Sequence, residues 1–156
     1  MNKDSAGEPV SAIPNKIQWA LVHNPNTTGE VLHELCDVLP AFLLERVAEH
    51  RNVEVRTLVR LAMHLDSDVR CAVSENPRTP IDVLRFLLQD ESPDVRYSMA
   101  ENHNIDSELL EKLCDDENPY VSSRARKTLL RLQPNKCVEG QFAYSAIYEE
   151  RFLEGL

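Results

Sequence analysis

The chain repeats itself every 26 residues, and this period constrains its fold more than any other feature. Val69-Arg70-Cys71-Ala72-Val73-Ser74-Glu75-Asn76 aligns without a gap on Val95-Arg96-Tyr97-Ser98-Met99-Ala100-Glu101-Asn102. One more step reaches Val121, and backward steps reach Leu43 and Ile17, so the column is aliphatic throughout. Leu32, Leu58, Leu84 and Leu110 form a second column, Leu35, Leu61, Leu87 and Leu113 a third, and Asn24, His50, Asn76 and Asn102 a fourth. An internal period of this length is the signature of a stacked-repeat architecture.

Each unit predicts two helices. In the third, Thr79 is placed to cap, Pro80 suits a first helical position, and Val83, Leu84, Leu87 and Leu88 form an apolar stripe. Ser92-Pro93-Asp94 repeats the cap-plus-proline signal before a second, shorter helix that turns Val95 and Met99 inward and stops at Asn102. Thr27-Thr28-Gly29-Glu30 offers a capping box, Asp106-Ser107-Glu108 opens the corresponding helix of the fourth unit, and Asn118-Pro119 opens the last one. The second unit matches least well, with Arg51 where its neighbours have Pro25 and Pro77. A helix pair this short cannot bury its own stripe and must stack on copies of itself, which predicts an all-α fold, an α-solenoid of about four two-helix repeats plus a closing helix from Val121 to about Leu132. The expected domains are a tail over residues 1–16, the repeat domain over 17–132 and a second tail over 133–156.

The pattern Val-Arg-x-Ala-Val-x-x-Asn-Pro-x-Thr-Pro at Val69–Pro80, continuing as Leu-Leu-x-Asp at Leu87–Asp90, resembles the leucine-rich repeat variant family. Leu87–Arg96 is similar to the HEAT-repeat consensus as well. The resemblance spans about Ile17 to Leu132 and implies a right-handed superhelix of short helices whose business is binding. Some members of the variant family carry an amino-terminal cysteine cluster for an iron–sulfur centre; here no cysteine precedes Cys36, so that feature does not carry over.

Charge narrows the partners. With 17 Lys plus Arg against 26 Asp plus Glu, the chain carries −9 and suits a phosphate backbone poorly, so nucleic acid is disfavoured. No apolar stretch approaches the roughly 18 residues of a membrane helix, and residues 1–10 lack the apolar core of a signal peptide, so no membrane contact and a cytoplasmic, bacterial or intracellular setting are expected. No catalytic motif and no glycine-rich phosphate loop occurs, and the four cysteines lie too far apart for a C-x-x-C pair, so neither a cofactor nor a metal is expected. His23 shares a column with Glu49, Glu75 and Glu101, but stacked helices lie roughly 8–10 Å apart, too far for one ion, and the row is expected to be a solvated acidic edge. His50 is expected to cap a helix end, where the left-handed conformation is tolerated.

The candidate binding face is the outward side of the shorter helices, assigned to the columns of Arg70, Cys71 and Ser74. Trp19, Arg70, Cys71, Arg96 and Tyr97 fall there and include the residue types that dominate protein interfaces. Two alternatives stand beside that assignment. Arg70 and Arg96 could instead tie repeats together through Asp68, Asp94 or a carboxylate such as Asp90, and Trp19 could cover the open end of the first repeat. In the last tail Tyr144, Tyr148 and Phe152 lie four apart beside Ile147, a pattern that fits folding back over the last repeat, docking into a partner, or self-association. The function expected is a non-catalytic protein–protein interaction module or adaptor. An accessory or lyase-like protein handling a cofactor or modified amino acid is the alternative, followed by a HEAT-like DNA-binding protein.

Overall fold

A computed structural model describes residues 15–133. Among them the fold is all-helical: α1 Asn15–His23, α2 Gly29–Leu35, α3 Ala41–Glu49, α4 Val55–Leu61, α5 Ser67–Glu75, α6 Ile81–Leu87, α7 Pro93–Glu101, α8 Ser107–Leu113 and α9 Pro119–Leu132. The odd-numbered helices start at 15, 41, 67, 93 and 119, and the even-numbered ones at 29, 55, 81 and 107, so both series keep the 26-residue step. The tails lie outside the described residues, except that α1 begins two residues before Ile17.

Helix starts follow local chemistry. Thr28, Asp66, Ser92, Asp106 and Asn118 each cap a first turn by accepting a backbone N–H, and Pro93 and Pro119 occupy first-turn positions where no donor is needed. Thr79 behaves differently from expectation. Pro80 is the cap of α6 without a side-chain bond, while the Thr79 hydroxyl donates backward to the Val73 carbonyl at 2.6 Å and closes the end of α5. The expected length ranking is also reversed: α5 and α7 have 9 residues and α6 has 7. The leucine stripe of α6 runs on to Leu88, but Leu88 and Gln89 are already in a turn, which brings Asp90 back over α5.

Packing is ordered along the odd series, α1 on α3, α3 on α5, α5 on α7 and α7 on α9, with α4, α6 and α8 seated against odd neighbours. Leu43, Val69, Val95 and Val121 are buried, as are Leu35, Leu61, Leu87 and Leu113; Ile17, with no described helix before it, is half exposed. Each fully buried aliphatic side chain stabilises the fold by about 1.5–3 kcal/mol. Val22, Ala48, Ser74 and Ala100 are buried where successive odd helices meet, and the three small ones leave room for close approach.

Direction comes from a polar column. Asn76 Nδ2 donates to the Ala48 carbonyl at 2.5 Å, Asn102 Nδ2 to the Ser74 carbonyl at 3.4 Å, and the Thr128 hydroxyl to the Ala100 carbonyl at 2.7 Å. The other side of each Asn amide accepts the N–H two residues on, from Arg78 and Asn104. His50 reproduces both bonds: Nδ1 accepts from the Asn52 N–H at 3.1 Å and Nε2–H donates to the Asn24 carbonyl at 3.0 Å. His50, Asn76 and Asn102 are all extended, with φ between −69° and −72°, so the helix-end role expected of His50 is met without a left-handed residue. The weak second unit compensates for its missing proline in the same way, with Arg51 and Asn52 both donating to the Pro25 carbonyl and Asn52 also to that of Thr27. That approach requires Gly29, because a Cβ there would lie 2.6 Å from the Asn52 carbonyl oxygen.

The geometry predicts that His50→Asn folds with near-native stability, whereas His50→Ala and Asn76→Ala each lose about 1–3 kcal/mol by stranding buried polar groups. Urea denaturation compares the three.

Candidate interaction surfaces

Arg70 and Arg96 do not reach the outward face assigned to them. The Arg70 side chain is 7% exposed, and its guanidinium clasps Asp90 with two bonds, Nε to Oδ2 at 2.7 Å and Nη2 to Oδ1 at 2.8 Å. Nη1 donates to the His64 and Leu65 carbonyls. Arg96 repeats the arrangement one unit on, bonding both oxygens of Asp116 and donating Nη1 to the Asp90 carbonyl at 2.5 Å. Asp90 is therefore held by Arg70 through its carboxylate and by Arg96 through its main chain. The carboxylates hold both guanidinium groups firmly in the charged form, the bond outweighing the opposing effect of burial.

These pairs come and go together. One unit back the same two positions are Leu44 and His64, and two units back Gln18 and Val38, so an acid is present only where an arginine meets it. An unpartnered buried carboxylate would be costly. At His64 the ring Nδ1 accepts the Asp66 N–H, the turn bond that Asp90 makes to Ser92 and Asp116 to Asn118. Six other members of the supposed outward columns, Gln18, Val22, Leu44, Ala48, Ser74 and Ala100, are buried too, because they face the neighbouring odd helix.

The face left open on the odd helices runs through Cys71 and Tyr97, both half-buried, with Glu45, Glu49, Asp68, Glu75, Asp94 and Glu101 around them. Glu49 pairs with Arg46, Glu101 with Arg124, and Glu75 accepts from Ser98. Burial and then Asp68 raise the Glu45 carboxyl, and burial followed by Asp68, Glu75 and Asp94 pushes the Cys71 thiol up to about 11. Cys36 and Cys114 are buried. No group of three metal-binding side chains exists among the described residues, and none of their helices is long and apolar enough to cross a membrane.

Trp19 is 55% exposed and stacks on His23 with ring centroids 4.0 Å apart, while His23 Nδ1–H donates to the Trp19 carbonyl. With Lys16, Val38, Leu39, Phe42 and Leu43 it lines a groove of about 810 Å³ beside the first described helix. Tyr144, Tyr148 and Phe152 lie outside the described residues.

A surface absent from the sequence-based expectations lies at the carboxy-terminal end of α4, the turn that follows it, and α6. Met63, Leu65 and Phe86 are 68%, 96% and 58% exposed and line a groove of about 690 Å³ with Asp82, Arg85 and Gln89. Val55 and Val59 on α4 and Ile81 on α6 are exposed as well. The signal was available in the columns: Met63 stands where other units have Asp37, Gln89 and Asp115, and Phe86 where they have Glu34, Arg60 and Lys112.

Two outcomes test this geometry. Arg70→Leu should cost about 3–5 kcal/mol by leaving Asp90 buried and unpaired, and the double variant Arg70→Leu/Asp90→His, which copies the second unit, should recover more than half of that loss in urea denaturation. Cys71, with its thiol at about 11, should react with iodoacetamide at pH 8 on the order of 100-fold more slowly than a free thiol, and Asp68→Asn should speed it, as followed by mass spectrometry.

No family model, no curated protein and no solved structure matches this chain.

Proposed function

We propose that the chain is a non-catalytic protein–protein interaction module: a right-handed α-solenoid of the leucine-rich repeat variant or HEAT-like type, with four 26-residue repeats and a closing helix, that offers a rigid surface to another protein. The observation that carries this reading is the apolar patch formed by Phe86 on α6 with Met63 and Leu65 in the turn after α4. Contiguous exposed apolar area rimmed by polar groups is characteristic of binding surfaces, and these three sit where sister units use mostly polar or charged residues. They lie in the middle of the stack, so the need to cover an open end does not account for them. A rigid scaffold supports tight binding because little conformational freedom is lost on association.

The internal engagement of Arg70 and Arg96 weighs against the DNA-binding alternative, since neither guanidinium is free to meet a phosphate. Both grooves are open rather than enclosing, which weighs against the cofactor-handling alternative.

The reading predicts a partner that is captured by the full chain and lost with Met63→Glu/Phe86→Glu, while Glu49→Lys/Glu75→Lys on the odd-helix face retains it. Circular dichroism and melting of each variant check that the fold survives. A partner held equally by all three proteins would overturn the assignment to α4 and α6.

A further inference from the structure

We infer that the patch on α4 and α6 is covered in the free protein by this chain's own carboxy-terminal segment, residues 140–153, which a binding partner must displace. The inference rests on the α4–α6 surface being the interaction site proposed above, and three observations lead to this occupant.

The first is chemical fit. The patch offers large apolar side chains, Met63, Leu65 and Phe86, around one groove. The segment carries Tyr144, Tyr148 and Phe152 at steps of four with Ile147 between them, so side chains at that spacing are available as anchors.

The second is charge. Residues 134–156 hold Lys136 and Arg151 against Glu139, Glu149, Glu150 and Glu154, a net −2. The open face of α3, α5 and α7, with its carboxylates at Glu45, Glu49, Asp68, Glu75, Asp94 and Glu101, would repel such a segment. The α4–α6 side differs, because Arg51, Arg56, Arg60, Arg78 and Arg85 lie on or beside the two helices. Arg56, Arg60 and Arg85 pair with Glu54, Asp37 and Asp82, but all six side chains are at least 40% exposed, and such pairs exchange partners at small cost. With Asp82 and Glu91 beside the groove the charges on this side roughly balance, so it repels an acidic segment less than the carboxylate-lined face does.

The third is reach. The described chain ends one residue after α9, which packs on α7 and α8, and packed helices are roughly 8–10 Å apart. Residues 134–143 can span up to about 33–36 Å, enough to pass back over α8 to α6.

The test places a photo-reactive benzophenone amino acid at Phe86 of the full-length protein, with Met63 as a second position, and identifies the products by mass spectrometry after irradiation. The expected product is a cross-link within one chain from position 86 to residues 140–153, together with tryptic cleavage at Arg151 that becomes about tenfold faster in Phe86→Glu. Cross-links to residues 140–153 of a second chain, seen as a covalent dimer, would overturn the same-chain assignment. In a cell extract, a cross-link to another protein without any to the segment would sink this inference and leave the interaction-module reading standing. No cross-link to either from positions 86 and 63 would sink both.

Discussion

A side chain at or near the end of each odd helix after α1 donates to a main-chain carbonyl of the preceding odd helix or its end, and the packing of the described helices depends on that bond. Hydrophobic burial alone draws the leucine and valine columns together without fixing an angle, because apolar contact is non-directional. The donors of His50, Asn76, Asn102 and Thr128 supply the direction. Each satisfies a carbonyl near the end of a helix, where no intrahelical donor exists, so the same bond serves helix termination and unit-to-unit registry. Small residues at Ala48, Ser74 and Ala100 let the odd helices approach closely enough for it to form.

The buried ion pairs add a second layer of order to the later units. Arg70 and Arg96 bridge three successive loops through Asp90 and Asp116, whereas Leu44 with His64 and Gln18 with Val38 fill the same places without charge. A single chain thus contains both the paired and the apolar solution to one packing problem. Breaking a pair strands a buried charge, while replacing both members leaves none, and the absence of mixed pairs follows from that asymmetry. The surface chemistry divides as well: carboxylates on α3, α5 and α7, and apolar groups with arginines on and beside α4 and α6.

Much of this was legible in the residues. The leucine columns lie in the core as the period required, with Leu84 only half-buried, and the Ser92-Pro93 and Asn118-Pro119 signals start α7 and α9. The candidate site was less legible. Arg70 and Ser74 occupy helix positions that one isolated helix would expose, and their burial comes from the next odd helix and the returning Asp90 loop. Met63, Leu65 and Phe86 attract no attention in a search for motifs and stand out only against their own sister positions.

The sequence by itself determined the 26-residue period, the helical class, the caps and the apolar columns, because each depends on local propensity and periodicity. Only the tertiary structure decided which polar columns are inside. A helix in this stack has neighbours on several sides, and whether a guanidinium faces water or a carboxylate 20 residues further along depends on where the following turn places that carboxylate. That position is set by packing between units, which local periodicity does not encode.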